Sequence, residues 1–136
     1  MDEKGLFIAG KRKTAVAKLR AFPGTGKVTF NHLPIASLNL FHRLALYEPL
    51  RIYEKELGEP LAYDFSIKTL GGGREGQVQA ARLAIAKALL AVSKSDVLRK
   101  AFIKYDRNMV VPDSRRKEDR KPGDSKARAK RQKSYR

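Results

Sequence analysis

After Val111 the chain contains no further Ile, Leu, Val, Met or Phe. A segment without those side chains has almost nothing to withdraw from water, so residues 113–136 lie outside any hydrophobic core. The same segment holds 11 Lys or Arg against 4 Asp or Glu. Low hydrophobicity combined with high charge predicts no fold of its own in isolation. Fully stretched, its 24 residues reach about 80 Å at ~3.3 Å each, far more than a domain of this size needs to span itself. The chain therefore divides into a body, residues 1–112, and an extended basic tail, residues 113–136. Any order in the tail has to come from a partner.

The body is basic as well, with 19 Lys or Arg against 10 Asp or Glu, and the whole chain carries a formal net charge of +16. Like charge at this density repels itself in the compact state and calls for a polyanion. Nucleic acid, an anionic membrane surface and acidic proteins are the candidate partners. Cysteine is absent, which excludes a disulfide framework and a thiolate metal site. The apolar run "GLFIAG" at 5–10 is broken at once by "KRK", too short for a signal peptide or a membrane span. These features read as a soluble intracellular protein.

The pattern of the body predicts an α+β fold. Residues 14–22, "TAVAKLRAF", alternate, and after "PGTG" the run "KVTFN" alternates again. Two alternating runs across a Gly-containing break predict a β-hairpin. "LFIA" at 6–9 is a shorter candidate strand. Residues 37–57 have helical spacing through Leu40, Phe41, Leu44 and Tyr47, with Ser37 as candidate N-cap. Pro49 predicts two short helices or a sharp kink there. "YDFSIKT" at 63–69 sets Tyr63, Phe65, Ile67 and Thr69 on one face and Asp64, Ser66 and Lys68 on the other, the signature of a sheet covered on one side. "GGG" at 71–73 then leads into a helix over 74–93, apolar around so much of its circumference that it must pack on two sides. A last helix over 94–105 turns Val97, Leu98, Ala101 and Phe102 inward. The expected architecture is a two-layer sandwich, with helices on one face of a small mixed sheet and the other face open.

Four features carry candidate chemistry. "GKRKT" at 10–14 places Lys11, Arg12 and Lys13 on an exposed loop, where Arg can fork onto a phosphate and Lys supply a point charge. A solvated charge run that blocks edge pairing reads equally from the same residues. "GGGREGQ" at 71–77 offers glycines and a helix N-terminus to an anion, or is simply a turn that only glycine can make. Its spacing matches no nucleoside triphosphate motif, and no carboxylate is placed to hold a metal. His32, His42 and the scattered acids form no metal or acid–base spacing, so no catalytic residue, metal or cofactor is expected. The tail mixes cations with Gly, Ser and Ala, small enough to let a backbone lie in a groove.

In order along the chain, these motifs resemble one family, that of the ninth protein of the small ribosomal subunit. "GKRKTAVAKLRAFPGTGKVTFN", "GGGREGQVQAARLAIAKAL" and "DSRRKEDRKPGDSKARAKRQKSYR" are similar to its opening, central and closing motifs, from about Leu6 to Arg136. The ending "QKSYR" resembles the archaeal and eukaryotic branch, and the short N-terminus points to the archaeal one. The resemblance implies the fold of the second domain of small-subunit ribosomal protein five and a place in the subunit head, in the cytoplasm, among neighbouring ribosomal proteins. It further implies binding of small-subunit ribosomal RNA by Lys11, Arg12, Lys13, Gly72, Gly73 and Arg74. In the tail it implies the same for Arg115, Arg116, Lys117, Arg120, Lys121, Lys126, Arg128, Lys130 and Arg131. Lys133, Ser134, Tyr135 and Arg136 would reach peptidyl-site transfer RNA. Asp119 and Asp124 depart from the family's basic pattern and dilute the charge locally. Two rivals share the general fold: an RNA-binding subunit of a processing ribonucleoprotein, which would need a basic "RNR"-type helix face, and a small-molecule kinase, which would need a second domain.

Overall fold

The computed structural model describes residues 5–123 and 126–129. Five strands form one sheet: β1 (Leu6–Arg12), β2 (Ala15–Pro23), β3 (Val28–Phe30), β4 (Leu33–Pro34) and β5 (Tyr63–Leu70). Three helices, α1 (Leu40–Leu57), α2 (Arg74–Ser93) and α3 (Asp96–Tyr105), complete the body, with short 3-10 turns at Ile35–Ser37 and Arg107–Met109. The sheet order is β1-β2-β5-β3-β4. All pairs are antiparallel except β3 with β5. A parallel pair needs a crossover, and α1 supplies it. The expected α+β two-layer architecture is therefore present, with a mixed sheet.

The expected hairpin between β2 and β3 does not form. β5 lies between them, its eight residues all paired with β2 and its Phe65–Ile67 stretch paired with β3 as well. The "PGTG" segment instead wraps the start of β5: Gly24 N–H donates to the Ala62 carbonyl (2.9 Å) and Phe65 N–H to the Lys27 carbonyl (2.8 Å). The Asp64 carboxylate accepts from Thr25 and Lys27 N–H, each at 2.8 Å. Local alternation reports only that both runs are strands. Phe65 and Ile67, both almost fully buried, draw their strand to the sheet centre, where both of its edges are satisfied.

α1 corrects two further expectations. It runs unbroken through Pro49, and Asn39 rather than Ser37 is its N-cap; the Ser37 hydroxyl donates to the Pro34 carbonyl in the preceding turn. Its buried stripe is Leu46, Pro49, Leu50 and Tyr53, whereas Leu40, Phe41 and Leu44 are exposed. Burial of the proline ring within this stripe offsets the missing backbone hydrogen bond. In α3, Leu98 and Phe102 are fully buried as expected, but Val97 is exposed. Ser95 caps that helix by accepting from Leu98 N–H.

α2 spans the predicted residues and is buried on nearly every side, against the sheet and α1. Small side chains are prominent in the core that it shares with the sheet, Ala80, Ala81 and Ala84 on the helix and Ala15, Ala17 and Ala21 on β2. A Cβ at Gly10 would lie 2.2 Å from the Ala80 carbonyl oxygen and 2.9 Å from Ala84 N. The β1 backbone and α2 thus touch directly. Among the described residues two polar side chains are buried with this core, Thr69 and Arg82; Arg82, 8% exposed, pairs with Glu48 of α1 and with Asp106 at 2.7 Å. Burial pushes the Asp106 carboxyl up, but the Arg82 hydrogen bond and Asn108 N–H outweigh it, and the net direction is down.

We predict that Gly10→Ala destabilises the body by about 1–3 kcal/mol, the usual cost of overpacking. Urea unfolding checks this: the midpoint falls at unchanged slope, because backbone on both sides leaves nothing flexible to move.

Candidate nucleic-acid interface

Three segments separated in sequence meet at one end of the sheet. The first is the two-residue turn between β1 and β2, since Arg12 pairs with Ala15. Lys13 occupies the left-handed region there, φ 53°, at a cost of about 1–2 kcal/mol for a residue with a side chain. Lys11 and Lys13 are exposed and Arg12 is half-buried. The charge run is thus not a loose loop: Lys11 and Arg12 are the last residues of a paired strand.

The second segment is the triple glycine that enters α2. Gly71 and Gly72 have φ of 73° and 64°, and a Cβ on either would meet Thr14 or Ala15 within 3 Å. These two glycines seat the loop against the β1–β2 turn. Gly73, the N-cap of α2, has open space at its Cβ position, and Arg74 begins the helix exposed. The loop is fixed by a polar chain from the neighbouring strands. Asn31 and Thr69 exchange two hydrogen bonds (2.8 and 2.9 Å), the Thr69 hydroxyl donates to Gln77 Oε1 (3.1 Å), and Gln77 Nε2 donates to the Gly71 carbonyl (3.1 Å). Glu75, in the first turn of α2, pairs with His42 Nε2 at 2.7 Å. Between turn and loop runs a cleft of about 360 Å³ lined by Arg12, Lys13, Gly72, Gly73 and Gln79 among others.

The third segment is the start of the tail, and its anchor is an acid that the sequence reading passed over. Asp113 is gripped by Arg115 through Nε (3.1 and 3.0 Å) and Nη2 (2.7 Å), with Arg115 N–H adding a bond at 2.9 Å. Arg12 reaches the same carboxylate from the end of β1. Arg116 Nη2 donates to the Lys13 carbonyl (3.0 Å). A bidentate Arg–carboxylate pair fixes direction as well as distance. The tail therefore leaves the body at a set place, beside the turn and the glycine loop. The Arg115 grip, with help from Arg12, holds the Asp113 carboxyl well below the usual carboxylate range.

Arg12 and Arg115 thus share one carboxylate and keep a surplus positive charge. Lys11, Lys13, Arg74, Lys117, Arg120, Lys121 and Lys126 are exposed and lack ion-pair partners among the described residues. Arg128 pairs with Glu118 at 2.8 Å. Lys130, Arg131, Lys133, Ser134, Tyr135 and Arg136 lie outside the described residues. Arg82 and Asp113 are the charged positions that sequence reasoning missed. Arg82 was legible as the one cation at a position enclosed by apolar neighbours in "AARLAIA", whereas nothing local marks Asp113 as the partner of Arg12. Among the described residues no group of His, Asp and Glu could hold a metal ion, and no helix is long and apolar enough to cross a membrane.

This constellation spans the three motifs by which a family is recognised. The family model described as ribosomal protein S9/S16 matches residues 10–136. The chain belongs to this family. It is 37% identical over 136 residues to the small ribosomal subunit protein uS9 of Methanococcus vannielii, covering 98% of this chain and 99% of that protein. It is 40% identical over 139 residues to the uS9 of Thermoplasma acidophilum, covering 96% and 100%. Both relatives are archaeal, within the archaeal and eukaryotic branch that the ending "QKSYR" resembles. The motif positions of the family thus acquire separate jobs in this chain: Gly71, Gly72 and Gln77 build the loop, and Asp113 aims the tail.

The depressed Asp113 value has a pH consequence. A group whose folded-state pKa is lowered contributes stability that is fully present above the unfolded value, about 4, and is lost as pH falls through the folded one. We predict that the junction holds from neutrality to below pH 4 and opens only in stronger acid. Carbon-13 NMR of the Asp113 carboxyl checks this, and a titration midpoint near 4 would count against the clamp.

Proposed function

We propose that the chain works as a structural, non-catalytic component of the small ribosomal subunit head, in the cytoplasm. Its body and tail hold ribosomal RNA beside neighbouring ribosomal proteins, and the end of the tail reaches peptidyl-site transfer RNA. The observation that carries this reading is the family match running through residue 136, together with the convergence of turn, glycine loop and tail root on one cationic surface. Lys11, Arg12, Lys13, Gly72, Gly73 and Arg74 form the body's share of that surface. Arg115, Arg116, Lys117, Arg120, Lys121, Lys126, Arg128, Lys130 and Arg131 form the tail's share. Lys133, Ser134, Tyr135 and Arg136 are the transfer RNA contacts. The body's α+β sandwich is in this reading the fold of the second domain of small-subunit ribosomal protein five.

Phosphate neutralisation releases counterions, about 0.7–0.9 per contact on a log–log salt plot. Removing residues 117–136 leaves the core and the Asp113 junction in place, since among the described residues the last buried one is Met109. If seven of the nine cations so removed engage phosphate, the slope for small-subunit ribosomal RNA falls by about five or six. Filter binding across a salt series checks this, and equal slopes for full-length and shortened protein would overturn the tail's role. Deleting only Ser134–Tyr135–Arg136 should spare subunit assembly and weaken transfer RNA at the peptidyl site. Its occupancy in assembled subunits is the measurement, and unchanged occupancy would remove the transfer RNA contact from the reading.

A further inference from the structure

The sheet has a face that takes no part in the convergence of turn, glycine loop and tail root. Register places Phe7 beside Arg20 and Ser66 in one row, and Lys18 beside Lys68 in the next. The helices cover the other side, where Ala17, Leu19, Ala21, Phe65 and Ile67 are buried. The residues of the open side are bare: Lys18, Arg20, Ser66 and Lys68 are exposed, and Phe7 is 66% exposed.

Three observations give this face a sign and a use. Lys18 and Lys68 are direct cross-strand partners, an arrangement that destabilises a sheet unless an anion lies over both. The Arg20 guanidinium lies over two rings, its central carbon 4.8 Å from the Phe7 centroid and 4.6 Å from that of Phe22. Two ring contacts restrict the side chain, so less entropy is lost when its N–H groups meet a phosphate. Asp64 is the one acid that the register puts on this face, and its carboxylate is already committed to Thr25 and Lys27 N–H. Lys18, Arg20 and Lys68 have no ion-pair partner among the described residues. The body's acids gather instead on the helical side: four of its ten lie between positions 48 and 59. A face kept merely soluble would mix signs, whereas this one is cationic with an aromatic ring lying open.

We propose that the open face of the sheet is a second RNA-binding surface, separate from the tail root. Lys18, Arg20 and Lys68 take neighbouring phosphates of one RNA strand, and the free side of Phe7 stacks on an unpaired base. Stacking on an exposed aromatic is the usual way a sheet holds unpaired nucleotides. The proposal rests on the ribosomal RNA reading above and adds where on the body that RNA lies.

The test uses the full chain with small-subunit ribosomal RNA. The double variant Lys18→Gln, Lys68→Gln should melt no lower than the parent, because a repulsive pair is gone. Its salt slope should be shallower by about 1.4–1.8, so that the affinity lost between 50 and 200 mM salt shrinks roughly tenfold. An unchanged slope in this variant, with a flattened one on loss of residues 117–136, overturns the sheet surface and leaves the ribosomal reading intact. Absence of salt-dependent binding by the parent overturns both. A second measurement does not depend on the lysines. The chain has no cysteine, so Ser66→Cys gives a single tether for an iron–EDTA cleavage probe at the centre of the face. Strand scission of ribosomal RNA from that tether in reconstituted subunits is the expected result. Crosslinking from the same position to a neighbouring protein, with the RNA uncut, assigns the face to protein and overturns the proposal.

Discussion

The direct contact between the β1 backbone at Gly10 and the alanine face of α2 sets the geometry of everything else. A strand and a helix can approach this closely only where side chains are absent or reduced to a methyl. That approach brings the N-terminus of α2 against the β1–β2 turn, where Gly71 and Gly72 fit beneath Thr14 and Ala15. Larger residues in this layer would lift the helix off the sheet and separate the glycine loop from Lys13. The cationic end of the molecule is thus a consequence of how thin its core is at that point.

A protein with a net charge of +16 has few carboxylates to distribute, and their placement is informative. Glu48 and Asp106 are spent on the buried Arg82, Asp113 on Arg12 and Arg115, and Asp64 on backbone N–H groups. Each of these acids stabilises a junction: helix to helix, body to tail, loop to strand. Apart from the Asp113–Arg115 pair at the tail root, none of the four offsets the exposed cations of the tail or of the open sheet face. Internal neutralisation therefore serves the fold, while the outward surface keeps the charge that a polyanion would meet. Asp113 shows both sides of this division, since it consumes part of the charge of two arginines in order to aim a segment that carries many more.

Some of this was legible in the residues and some was not. Alternation in β5 identified its buried face because a covered sheet forces period two. The near-complete apolarity of α2 foretold burial on two sides for a similar reason. The β2–β3 hairpin failed because strand partnership is decided by which strand can fill the sheet centre, and adjacency in sequence carries no information about that. The misplaced stripe on α1 has a related cause: Leu40, Phe41 and Leu44 have the right spacing, yet the helix presents Leu46, Pro49, Leu50 and Tyr53 to the core. Periodicity finds a stripe but cannot choose between two when both are apolar. The Arg12–Asp113 pairing spans about a hundred residues, and no local pattern encodes a contact of that range.

The sequence alone determined that residues beyond Val111 carry no Ile, Leu, Val, Met or Phe, that both halves of the charge count are cationic, and that the motifs follow one family's order. These are properties of composition and local order, and folding cannot alter them. Only the tertiary structure decided which cations stand free, which glycines are steric necessities, where the tail leaves the body, and that Lys18 and Lys68 face each other across two strands. Those facts depend on distances between residues remote in the chain, which packing and long-range pairing alone set.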